Sequence, residues 1–193
     1  LEFRRVLFRS RYGGDMAVGA YGIINRFLFL FVMVVIGLMQ GMQPIVGYNY
    51  GARLYNRAFK VLKLSIMFAT FISVIGFLLG EFFPHMITSM FTTDKQLTEI
   101  AASGMRIMMM AVPLLGTQVI STGFFQSIGY VKTAIFLSLL RQLILIIPAL
   151  LIFPLFFGLN GIWMSIPVSD TLATIISVTI LMYNYRQLKK LAN

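Results

Sequence analysis

From Ala17 to Met39 the chain is apolar apart from Asn25 and Arg26. A hydrocarbon core of about 30 Å takes about 20 such residues in helical form. Within it, only a helix or a closed barrel satisfies every backbone polar group. The stretch therefore reads as a membrane-crossing helix and confines the chain to bilayer architectures. It opens on Gly13-Gly14-Asp15 and closes on a loop, Pro44 to Gly51, rich in Pro, Gly, Asn and Tyr, ahead of a basic second helix start. Ala17, Gly19, Ala20, Gly22 and Gly37 leave room for a neighbouring helix to approach closely.

The rest of the sequence repeats the pattern. Of its 193 residues 59% are hydrophobic and only 11% charged, and mean hydropathy is +0.87, outside the range of soluble domains. Further spans are expected near residues 61–79, 105–128, 133–153 and 162–183, giving an all-α polytopic bundle of about five spanning helices. Pro113 and Gly116 mark the third span for a bend or break, Pro148 and Pro154 punctuate the fourth, and Pro167 is a bend candidate in the fifth. Phe157-Gly-Leu-Asn-Gly161 reads as a tight link between the last two. Thr92-Thr93-Asp94 ahead of Lys95 reads as a capped amphipathic helix start. Trp163, Tyr183 and Tyr185 fall where aromatic side chains favour the membrane interfaces.

The formal charge of +10 would suggest nucleic acid in a soluble chain. Here Lys and Arg sit in short links, where they set orientation. Arg53, Arg57, Lys60, Lys63, Lys132, Arg186, Lys189 and Lys190 fall on one side and Lys95 on the other, with Arg106 at a helix entrance. The C-terminus is thus expected in the cytoplasm, in a bacterial-type inner membrane, with lipids as partners and no nucleic acid. Leu1 to Ser10 break the pattern. They are basic, lack a signal-peptide core, and read as a non-native leader to a chain whose own sequence starts near Arg11 and continues upstream in the complete protein.

The chain has no Cys and a single His, His85. It offers no metal-ligand spacing, no nucleophile-base constellation and no phosphate-cradling Gly-rich loop. These features argue against an enzyme, a metal site and a bound cofactor.

In order along the chain, GGDMAVGAYGI, QGMQPIVGYNYGAR, MRIMMMAVPLLGTQVISTGFFQSIGY, AIFLSLLRQLILIIPALLIFP and GLNGIWMSIPVSD resemble the second half of multidrug and toxic compound extrusion (MATE) transporters. The resemblance covers nearly everything from Arg11 onward. It implies helices eight to twelve of a twelve-helix, two-bundle transporter, with residues 11–193 a partial C-terminal bundle whose partner is the missing N-terminal bundle. It further implies a secondary antiporter that exports xenobiotics, small cationic or amphipathic compounds, with H+ or Na+ as coupling ion. A fragment of this kind is expected to be inactive alone. A lipid-linked saccharide flippase of the same superfamily is a second reading, and a non-transporting bundle a third. Some members carry an intramembrane acid in the helix matching residues 105–128; this chain has none there.

Asp170 is the foremost site candidate, because a carboxylate at membrane depth is costly unless paired, solvated or protonated. It could be a cation or proton coupling site. Equally, it could be a packing residue that bonds backbone groups freed by Pro167 or pairs with Arg141. Arg141 and Gln142 pose the same question in the fourth span, as anchors or as cavity residues. Gln118, Thr122 and Gln126 share one helix face, where they could line a wet path or bond a neighbouring helix. The abundant Met and Phe would suit an adaptable surface, yet Met108, Met109 and Met110 cannot all face one cavity.

Overall fold

The computed structural model describes residues 14–192, with side chains through residue 187; the expected leader, residues 1–10, lies outside the described residues. The described residues form helices and short turns. In chain order these are α1 (Gly14–Gly51), α2 (Tyr55–Phe82), α3 (Pro84–Ser89), α4 (Lys95–Met109), α5 (Val112–Ser127), α6 (Val131–Leu139), a π-helical segment (Leu140–Leu145) and α7 (Ile146–Ala192). Three stretches are long and apolar enough to cross a membrane, Gly14–Gly51, Tyr55–Phe82 and Val131–Gln187, and α4 with α5 makes a fourth, bent by 52°.

The longest stretch is two passes rather than one. Gly158 has φ 57° and ψ −132°, non-helical values inside α7. Arg141 and Asp170, 29 positions apart, touch across it, whereas an unbroken helix would hold them about 44 Å apart. The chain therefore doubles back at Gly158, where a left-handed φ favours glycine. The return is tight: a Cβ on Gly161 would run into the Phe153 carbonyl oxygen. With this reversal the chain makes five passes.

Contacts between elements fix which ends meet. Gly47 of α1 lies against the Ser127 carbonyl at the end of α5, and Phe59 near the start of α2 packs its ring on Tyr185 late in α7, centroids 4.5 Å apart. The α1–α2 turn, the α5–α6 turn and the last turns of α7 thus share one end of the bundle. Small residues hold the middle together, for a Cβ on Gly116 of α5 would come within 2.7 Å of the Ala69 backbone in α2. Such close backbone approach is how helices bind where lipid removes any hydrophobic drive between them. One apolar cluster, including Val35, Ile120, Phe124 and Phe125, fills this end. A second, including Ile24, Met105 and Trp163, fills the other.

Several boundaries differ from the sequence expectation, mostly because composition marks a loop in water where lipid favours helix. Pro44 to Gly51 is not a loop but the last turns of α1. Pro44 forfeits only one ladder bond, and Asn49 Nδ2 donates to the Ile45 carbonyl at 2.7 Å. The turn itself is confined to Ala52–Leu54, with Arg53 at φ 59° and Leu54 N–H donating to the Asn49 carbonyl at 2.8 Å. The tail expected as a link is helical to Ala192. Trp163, expected as an interfacial anchor, is only 2% exposed; it fills the space beside Gly104 and stacks on Tyr21.

Other local signals act as their chemistry dictates. Asp94 caps α4, its Oδ1 accepting from the backbone N–H of Gln96 at 2.8 Å and Leu97 at 3.2 Å. Gly129, at φ 81°, ends α5: Tyr130 N–H donates to the Phe125 carbonyl and Gly129 N–H to that of Gln126, the paired bonds of a glycine-closed helix.

Candidate functional site

The hairpin at Gly158 sets the fourth and fifth passes side by side and brings two opposite charges together between them. Arg141 Nε donates to Asp170 Oδ1 at 2.7 Å, and Nη2 reaches Oδ2 at 3.5 Å. Asp170 is 3% exposed, and the Arg141 side chain keeps a quarter of its surface open. A carboxylate this buried carries a desolvation cost of several kcal/mol, which only good geometry offsets, and removing its partner alone costs about 3–5 kcal/mol.

Arg141 stands in the π-helical segment Leu140–Leu145. A π turn carries an extra residue, re-aims the side chains on it and is often met at functional sites. Asp170 belongs to a helix several of whose hydroxyls bond their own backbone, although the buried Ser177 Oγ has no partner. Ser165 donates to the Gly161 carbonyl, Ser169 to Ser165 and Thr174 to Asp170, each at 2.7 Å. These hydroxyls are therefore satisfied locally, and Arg141 alone supplies side-chain donors to the carboxylate among the described residues. Backbone angles stay helical through Pro167, and Thr171 Oγ1 bonds the Pro167 carbonyl.

The other candidates are not gathered at this pair. Gln142 is exposed, one step round the π segment from Arg141. Gln118, Thr122 and Gln126 follow one face of α5 but meet three environments. Gln118 is 2% exposed and its Oε1 has no hydrogen-bond partner. Thr122 donates back to the Gln118 carbonyl at 3.0 Å. Gln126 is exposed and accepts from Gln43 Nε2 of α1 at 2.9 Å. Pro113 sits in the first turn of α5, just past the break at Met110–Ala111, where its missing N–H leaves nothing unbonded. Met108 and Met109 are buried while Met110 is 64% exposed.

Two further residues were not among the site candidates the sequence suggested. Glu81, at the end of α2, has a buried Oε2 without a partner; its signal was an acid abutting an apolar span. Arg26 is exposed on α1 and pairs with no carboxylate among the described residues. It shares the exposed side of that helix with Asn25, Phe29, Met33, Gly37 and Gly41, and both of these glycines have open space beside them. No group of three His, Cys, Asp or Glu is placed to hold a metal ion among the described residues.

Comparison with known proteins finds relatives over most of the chain. The family model described as MatE matches residues 2–152. The multidrug export protein MepA of Staphylococcus aureus (strain MSSA476) is 30% identical over 174 residues, covering 90% of this chain and 38% of the relative. The MATE multidrug transporter DinF-BH, solved as a complex, is 40% identical, with a TM-score of 0.80, over 91% of this chain and 39% of that one. An outward-facing MATE family transporter of the MOP superfamily superposes at a TM-score of 0.86 over 93% of this chain and 41% of that one. At 21% identity that last likeness is one of fold. The chain spans about 38–41% of the length of these relatives.

Proposed function

Because this chain belongs to the MATE family of multidrug efflux transporters, we propose that it is the C-terminal portion of a secondary antiporter that exports cationic or amphipathic xenobiotics in exchange for H+ or Na+. The Arg141–Asp170 pair, with its carboxylate buried, carries the reading. An intramembrane carboxylate held by a cation is where a proton or sodium ion can compete, because the arriving charge and the guanidinium claim the same two oxygens. Asp170 is then the coupling residue, and Arg141 is the counter-ion that gives way. The N-terminal bundle supplies the facing wall of the cavity, against the exposed side of α1 that bears Asn25 and Arg26. Substrate sites near the bilayer midplane are the rule for transporters built from repeats. The multidrug names of the relatives support the substrate class, and the charge bias of the links supports an inner-membrane protein with its C-terminus in the cytoplasm.

The test is dye efflux from vesicles holding a full-length transporter in which this chain forms the C-terminal portion. Efflux that needs an imposed proton or sodium gradient is the expected result. Efflux that continues undiminished with both gradients collapsed would contradict antiport, and correct insertion with no efflux under either gradient would contradict the substrate class.

A further inference from the structure

At the end of the bundle shared by the two turns and the last turns of α7, helices α2 and α7 part and leave an open cleft of ≈ 620 Å³. Its floor is apolar, with Phe59 and Leu62 buried and Met182 continuing it along α7. Its rim is cationic. Lys60 and Lys63 come from α2 and Arg186 from α7. None of the three pairs with a carboxylate among the described residues, and no acidic residue lines the cleft.

The orientation rule explains why cations gather on one side of a membrane. It does not ask them to converge from two helices on one cleft with an apolar floor. Like charges beside a low-dielectric surface repel one another, and an anion among them relieves that repulsion. The ligand that answers both halves of the cleft has a negative group at the rim and a hydrocarbon body on the floor. Basic pockets between membrane helices bind anionic lipid headgroups on this basis, and long Lys and Arg side chains reach the headgroup level while their stems stay against apolar surface.

We propose that the cleft between α2 and α7 is a binding site for an anionic phospholipid, its phosphate held by Lys60, Lys63 and Arg186 and an acyl chain laid along Phe59, Leu62 and Met182. The site is independent of the transport reading and stands on the cleft alone.

Native mass spectrometry of the full chain, extracted in detergent with phosphatidylglycerol or phosphatidylcholine added, tests it. The wild type is expected to retain phosphatidylglycerol at least about tenfold better than phosphatidylcholine. The triple variant Lys60→Ala, Lys63→Ala, Arg186→Ala is expected to lose that preference. The control triple Arg53→Ala, Arg57→Ala, Lys132→Ala, at the same end but off the cleft, keeps it. Leu62→Trp, which fills the floor and removes no charge, is expected to reduce retention of phosphatidylglycerol severalfold. Equal retention of the two lipids by the wild type overturns the proposal without reference to any variant. So does equal loss in both triples, which would mean a diffuse surface charge. Displacement of the lipid by millimolar inorganic phosphate would overturn the acyl-chain half and leave a plain anion site; persistence of the lipid under phosphate supports it.

Discussion

Two polar centres of the bundle, one between the fourth and fifth passes and one on α5, are built in opposite ways. At Arg141–Asp170 both partners are charged, and the carboxylate is buried and held by two donors of one guanidinium. On α5, Gln118 is equally buried but neutral, and its side-chain oxygen has no partner. A buried carboxylate is costly to leave alone, and here a guanidinium carried on the π segment meets it. An amide oxygen can be left alone at a cost of about 1–3 kcal/mol, and the fold accepts that. The difference teaches where change is cheap: a group already unsatisfied gains when something binds it, whereas a satisfied pair yields only to a competitor of its own kind.

That contrast can be broken most forcefully at the charged centre. Arg141→Met leaves the buried Asp170 carboxylate unpaired and is expected to destabilise the full chain by about 3–5 kcal/mol, while Arg141→Met with Asp170→Leu recovers most of the loss. Reversible unfolding in mixed micelles measures both, and a double variant as unstable as the single one would show that the pair has further partners. A smaller effect is expected on α5. Gln118→Leu exchanges an unsatisfied amide for a similar apolar volume and should change stability by no more than about 1 kcal/mol in either direction; a loss beyond about 2 kcal/mol would reveal a partner for Oε1. The smallest belongs to the exposed Gln43–Gln126 bond, whose coupling in a Gln43→Ala, Gln126→Ala double-mutant cycle should come near the ~0.6 kcal/mol typical between membrane helices. A coupling well above about 1.5 kcal/mol would place that bond in a drier setting than its exposure indicates.

What could be read from the sequence was local or periodic. The Asp94 cap, the reversal near Gly158 and the break ahead of Pro113 each follow from one residue's backbone chemistry. Family membership was legible in ordered motifs along most of the chain, and the match to the MatE family model agrees with it. The π segment was not legible, because nothing in the residues of Leu140–Leu145 distinguishes it from ordinary helix. Arg141 was one of several partners open to Asp170, and only the folded hairpin selects it. Spacing put Gln118, Thr122 and Gln126 on one face, but the bend in that pass and the neighbouring helices decide that one is buried, one bonds its own backbone and one reaches α1. The Pro44–Gly51 loop was misread because its residue types mark turns in water, while a backbone near lipid keeps its helix and absorbs one proline.

The most direct test of the coupling assignment is gradient-driven dye efflux by the full-length transporter carrying Asp170→Asn, with insertion checked in parallel. Normal insertion and a fall in efflux of at least about tenfold are expected, because Asn offers neither the charge that holds Arg141 nor the site an ion must take. Efflux at the wild-type rate under both proton and sodium gradients would contradict the assignment and leave the Arg141–Asp170 pair as a packing element.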